Sequence, residues 1–190
     1  MKKSKQQVAI KSKPEVINQP PIVDSPNQNF NQYYIWAVLL LTLIVYSFGF
    51  GNTYTNWDDP AYVNAVIIDP IKNMRKILTM VCAANYHPVT MFSLALNVIL
   101  FGKEATSFIV VNILIHVANT YLVYVFIQKL LAIYNPLKSQ NSVLFIAISS
   151  ALFFGIHPMH VESVVWISER KDVLYTLFFL LALIKYCDFI

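Results

Sequence analysis

Residues 106–131, TSFIVVNILIHVANTYLVYVFIQKLL, run for twenty-six positions with one charged side chain, Lys129. As a helix this stretch rises about 39 Å, against a hydrocarbon core of about 30 Å. No soluble domain of this size has a place for such a segment unless it crosses a bilayer. Composition agrees, since 57% of the 190 residues are hydrophobic, 13% are charged, and the mean hydropathy is +0.54. The fold class predicted is an all-α integral membrane protein, a polytopic helix bundle.

The net charge of +4 does not point to nucleic acid. Five of the fourteen basic residues lie in the first thirteen, MKKSKQQVAIKSK, and residues 1–32 are polar and rich in Pro, Asn and Gln. This segment reads as a disordered cytoplasmic tail. A secretory signal peptide fits poorly, because the first apolar segment begins too late and no small-residue cleavage site follows it. Residues 33–50, YYIWAVLLLTLIVYSFGF, form a first span with aromatic residues at both ends, and the preceding lysines put its start inside. Cys82 and Cys187 are far apart and fit no metal spacing.

Residues 52–104 then form an external loop. Asp59-Pro60 and Asp69-Pro70 each set an acid before a proline, which predicts two short helices with Asp59 and Asp69 as caps. In PIKNMRKILTMVCA, Ile71, Met74, Leu78 and Val81 recur at helical spacing, predicting a helix on the membrane surface. HPVTMFSLALNVILFG leaves 14 residues between His87 and Gly102, about 21 Å of helix and too short to span comfortably. Thr90, Ser93 and Asn97 fall on one side of it, so it is predicted to pack beside the bundle rather than cross.

The chain next crosses at 106–131, with Asn112, His116 and Asn119 as a polar stripe facing the bundle interior. The following loop carries Lys129 and Lys138 and no acid, as a cytoplasmic loop should. Further spans are predicted at 142–156 and 173–190, four in all, with residues 33–190 forming one transmembrane domain. This topology puts the pair Asp58 and Asp59 on the same non-cytoplasmic face as HPMHVESVVWISERKD, residues 157–172.

That second segment is dense in chemistry. His157, His160 and Glu162 are ligand types for a divalent cation, yet the spacing H-P-x-H-x-E matches no standard zinc motif and Pro158 interrupts the helix. A metal therefore stays open. Arg170 with His157 and His87 can hold a phosphate at the membrane surface. The plainer reading of Glu169, Arg170, Lys171 and Asp172 is a solvated cluster pairing internally, and it is the better one for Lys171.

WDDP after the first span, YHPVTMFSLALN, VNILIHVANTYLVYVF and above all ALFFGIHPMHVESVVWISERKDVLYTLFFLLAL resemble the amino-terminal membrane part of GT-C glycosyltransferases that carry tetratricopeptide repeats. That group includes the transmembrane O-mannosyltransferases and their bacterial relatives. The resemblance covers about residues 33–187. It implies transfer of a sugar from a polyprenyl-phosphate carrier lipid to a hydroxyl on a protein acceptor, Ser or Thr, with inversion, on the outer or luminal face. It further implies a multi-pass protein of a bacterial inner membrane, or of the ER membrane in a eukaryote. Remaining spans and repeats are absent from these 190 residues, so the chain reads as an amino-terminal fragment, inactive alone.

The placement suits that chemistry. The donor's lipid lies in the bilayer and its phosphosugar at the surface, so a catalytic carboxylate must stand on a loop close to the membrane. Asp58 and Asp59 are the candidates for the base. Asp59 has a competing task as a helix cap, and in enzymes of this resemblance the first acid of such a pair is usually catalytic, which favours Asp58. Arg170, His157 and His87 are then the phosphate-binding candidates. Two other classes fit the same residues: a transporter lined by the Asn112–His116–Asn119 stripe, and a non-catalytic membrane scaffold.

Overall fold

The computed structural model describes residues 28–134 and 139–190. The expected tail as far as residue 27, and Lys138 of the expected inner loop, lie outside the described residues. Helix α1, Gln28–Ser47, tightens into a 3-10 turn over Phe48–Gly51. Three shorter helices follow, α2, Asp59–Ile67; α3, Met74–Thr79; and α4, Pro88–Phe101; before the bundle resumes with α5, Ala105–Tyr134. Helix α6, Gln140–Ile156, leads through a 3-10 turn at Pro158–His160 to α7, Val161–Val165, and then α8, Arg170–Phe189. The described residues are helical throughout, apart from turns and one isolated bridge between Cys82 and Asn85.

Among the described residues, two helices are long and apolar enough to cross a membrane, Tyr33–Gly51 and Ala105–Tyr134. Gln140–Ile156 with Pro158–Val165, bent by 48°, makes a third if the pair is one broken span. The bend has a local cause: Pro158 has no N–H to continue the ladder, and the residue before it is driven to extended backbone, here His157 at ψ 128°. The charges at Arg170, Lys171, Asp172, Lys185 and Asp188 leave α8 less apolar, although its 20 residues rise about 30 Å.

Helix α5 is the hub, packing on α1, α6 and α8. Its long apolar faces meet small residues on α6. A Cβ on Gly155 would lie 2.5 Å from Thr42 Oγ1 and 2.9 Å from Thr120 Cγ2, so only glycine lets the three helices approach there. Helix α4 lies against α2, α3, α5 and α8. It buries Thr90, Met91, Leu94, Ala95 and Asn97 while Val89, Phe92, Leu96 and Leu100 face outward. The polar side predicted for it is therefore the side that packs.

Residues 52–104 depart from their sequence reading in two places. At Asp69-Pro70 no helix starts; Asp69 adopts φ 47° and pairs with Lys72, and α3 begins only at Met74. A left-handed residue breaks the helical path, which proline spacing alone does not reveal. The helix read over PIKNMRKILTMVCA is confined to Met74–Thr79, so Ile71 and Val81, both exposed, lie outside it, while Ile77 is buried.

Candidate active site

Helix α2 begins at Asp59 with Pro60 in its first turn, and Asp58 occupies the N-cap position. The Asp58 carbonyl accepts from Ala61 N at 2.9 Å and Tyr62 N at 3.3 Å. Its carboxylate makes no cap bond and no ion pair among the described residues, and it is half-buried. Asp59 behaves differently. It is 1% exposed. One oxygen accepts from Thr55 N at 2.9 Å and Thr55 Oγ1 at 3.1 Å, and the other accepts from Ser168 N at 2.9 Å. The capping role expected of Asp59 is thus corrected: the side chain turns inward and ties the first loop to the 166–170 turn. The two polar segments, 109 residues apart, meet at this bond.

Arg170 is also not where the sequence reading puts it. It is fully buried. Nε donates to Asn112 Oδ1 at 2.7 Å, Nη2 to Asn97 Oδ1 at 2.9 Å and to Phe108 O at 2.7 Å, and Nη1 reaches Ser93 O and Oγ at 3.3 and 3.4 Å. The guanidinium stands 5.7 Å from the centre of the Phe108 ring. With all three nitrogens engaged below the surface, it has no donor left for a phosphate, and the phosphate-binding expectation for Arg170 does not fit this placement. Nor does it pair with Glu169 or Asp172. Among the described residues its partners are neutral, so three helices join around a buried cation held by amide, hydroxyl and carbonyl oxygens.

The neighbouring charges sort themselves separately. Lys171 pairs with Glu169 at 2.5 Å and lies 5.9 Å from the Tyr62 ring centre; the internal pairing matches the sequence reading, but the pair is largely buried rather than solvated. Burial pushes the Glu169 carboxyl up, opposed by Lys171. Burial, with Glu104 and Asp59 nearby, likewise raises the Tyr54 phenol, which stays a donor. Asp172 accepts from Ser163 Oγ at 3.0 Å.

Two clefts open beside this seam. One, of about 440 Å³, lies between the start of α4 and α8 and is lined by His87, Thr90, Lys171, Asp172, Tyr175 and Phe178. His87 Nε2 is buried without a partner in the structure. The other, of about 570 Å³, is lined by Tyr54, Thr55, Asp59, Glu162 and Trp166 among others. His157 caps the 3-10 turn, its Nδ1 accepting from Met159 N at 3.2 Å, so Nε2 carries the proton of the neutral ring. His160 turns inward, its ring 4.7 Å from Phe154 and 5.5 Å from His116. Glu162 lines the second cleft. His157, His160 and Glu162 therefore do not converge, and among the described residues no three His, Cys, Asp or Glu side chains are placed to share a metal.

The stripe on α5 is occupied in holding helices. Asn112 Nδ2 donates to Trp166 O at 3.1 Å, His116 Nε2 lies 3.0 Å from Gly155 O, and Asn119 Nδ2 donates to Val173 O at 2.9 Å. Gly155 and Trp166 sit at the ends of α6 and α7, where the helix leaves carbonyls free, whereas Val173 sits in the first turn of α8. Sequence reasoning placed Ser93, Asn97 and Asn112 on inward faces and missed that they converge on Arg170. The available signal was that an arginine opening an apolar helix has to be matched by polar groups elsewhere.

Comparison with known proteins bears on what this seam does. Protein O-mannosyl-transferase F38B6.6 of Caenorhabditis elegans is 30% identical over 157 residues, 77% of this chain and 22% of that protein. The chain is a homologue of the protein O-mannosyl-transferases. TMTC1 of Mus musculus is 34% identical over 102 residues, 54% of this chain and 10% of that one, and TMTC2 of Mus musculus is 36% identical over 107 residues, 55% and 12%. The chain thus spans about a fifth or less of the length of these O-mannosyl-transferases. No family model matches it, and no solved structure does.

Proposed function

We propose that the whole protein, of which this chain is a part, transfers a mannosyl group from a polyprenyl-phosphate carrier to a Ser or Thr hydroxyl of a protein, on the non-cytoplasmic side of the membrane. In this reading α1, α5, α6 with its broken end, and α8 cross the bilayer, and residues 52–104 and 157–172 lie outside. The names of the relatives support the sugar and the acceptor class. The observation that carries the site is the contrast within the acid pair: Asp59 is locked by three donors, while the adjacent Asp58 carboxylate is unpaired and half-buried.

The acceptor oxygen forms its bond to the anomeric carbon as the bond from that carbon to the phosphate oxygen breaks. The hydroxyl proton passes to Asp58, and the electron pair leaves with the phosphate, inverting the centre. His87, with its unpartnered Nε2, and His157, with Nε2 free to donate, supply hydrogen bonds to the departing phosphate. Arg170 stands behind this site as a structural anchor. The polar stripe does not favour a transporter, because its three members are bonded to the bundle's own carbonyls.

The test is Asp58→Asn in the full-length protein, assayed with a polyprenyl-phosphate mannose donor and a Ser/Thr peptide. The variant should fold, bind donor, and lose transfer by roughly 10²- to 10⁴-fold. Transfer within a few fold of the parent overturns the base assignment. Asp59→Asn replaces an accepting oxygen with a donor facing Thr55 N, so it should lower thermal stability as well as activity.

A further inference from the structure

We infer that Asn112, buried inside the helix bundle, is a positioning residue that sets the placement of Asp58 through the 166–170 turn and Asp59. The inference rests on the reading of Asp58 as the base.

Asn112 is fully buried on α5 and is bonded at both ends of its amide. Its Nδ2 donates to Trp166 O, and its Oδ1 accepts from Arg170 Nε. Trp166 and Arg170 are the two ends of the short link between α7 and α8. One side chain therefore fixes the span of the turn that joins them. Within that turn Ser168 is fully buried, and its N–H donates to Asp59 Oδ1. Asp59 Oδ2 holds both the N–H and the hydroxyl of Thr55. Hydrogen bonds at Trp166 O and at Ser168 N, joined by the backbone of residues 166–168, thus connect the inside of the bundle to the loop that carries the acid pair.

Asp58 depends on this connection because nothing holds its own carboxylate. A catalytic group must stay within about 0.5 Å of its productive position. For an unbonded side chain that position follows from the backbone, and here the backbone is pinned on one side by Asp59 and three residues earlier by Thr55. Slack in the turn therefore reaches the reacting atom without altering any group that would touch donor or acceptor.

The experiment is a double-mutant cycle in the full-length protein. Asn112→Asp keeps the size of the side chain and the acceptor for Arg170, and removes the donor to Trp166 O. It should lower kcat by roughly 10- to 100-fold with donor KM unchanged, as a misplaced group far from the chemistry does. In the Asp58→Asn background the same change should alter transfer by less than about 2-fold, because the two residues act as one unit. Thr55→Val removes only a loop hydroxyl and should show the same pattern at a smaller amplitude, about 3-fold alone and none with Asp58→Asn. It decides the matter by itself if Asn112→Asp does not fold. Losses that multiply in the double variants, or full activity of Asn112→Asp or of a decisive Thr55→Val, overturn the inference and leave the base assignment intact. A fully active Asp58→Asn removes the base reading itself, and that single variant identifies the cause.

Discussion

The two ends of the helix bundle are built by opposite means. Where α1 begins and α5 approaches its end, Ile35, Val38, Leu39, Tyr124, Ala147 and Ala151 close a core of apolar groups alone, with small residues letting α6 come close. At the other end a larger apolar core around Met91, Phe108 and Ile113 is threaded by buried polar groups: Asp59, Asn97, Asn112, Ser168 and Arg170. Volume decides the first end and donor–acceptor matching the second. Apolar packing tolerates adjustment, whereas a matched polar network fixes one arrangement and exposes every error. Under the proposed function, the end that holds the reacting groups is the one with the network.

The sharpest way to break this comparison is topological, since the proposed arrangement puts the two ends on opposite sides of the membrane. With Cys82 and Cys187 replaced by serine, a cysteine at Asn56 or at Met159 should label fully with an impermeant thiol reagent from the non-cytoplasmic side, and one at Ser139 should not. Labelling of Asn56 and Met159 from opposite sides would end the shared-face arrangement.

Next in size, Arg170→Leu strands the acceptors on Asn97, Asn112 and Phe108. It should destabilise the protein by about 3–5 kcal/mol, read as a lowered denaturation midpoint in detergent micelles. Ala147→Leu at the apolar end overfills a fully buried site and should cost about 1–3 kcal/mol in the same measurement. Equal costs for the two, with activity spared in both, would erase the distinction between the ends. Smallest of all, Lys129→Ala removes the exposed pair with Asp188 and should leave the midpoint unchanged within error.

Much of this architecture follows from the sequence alone. Hydropathy and length mark the apolar helices, and the 14-residue run from Pro88 to Phe101 is short enough to be set beside the bundle. The inward face of α5 is legible too, because Asn112, His116 and Asn119 share one side of a helix whose other sides are apolar, and lipid offers them no partner. Asp58 and Asp59 are legible as a pair worth attention.

Their division of labour is not. Sequence puts Asp59 before a proline and predicts a cap, whereas its partners are Thr55, four residues away, and Ser168, 109 residues away. Arg170 likewise looks like a surface cation until Ser93, Asn97, Phe108 and Asn112 are brought around it from two other helices. Periodicity and spacing report which face of an element is apolar, and those are local properties of the chain. Which polar groups meet across the bundle depends on the crossing of α4, α5 and α8, on the bend at Pro158, and on the close approach that Gly155 permits. Only the tertiary structure decides these, because a hydrogen bond is satisfied by whatever partner lies within 3 Å, whatever its distance along the sequence.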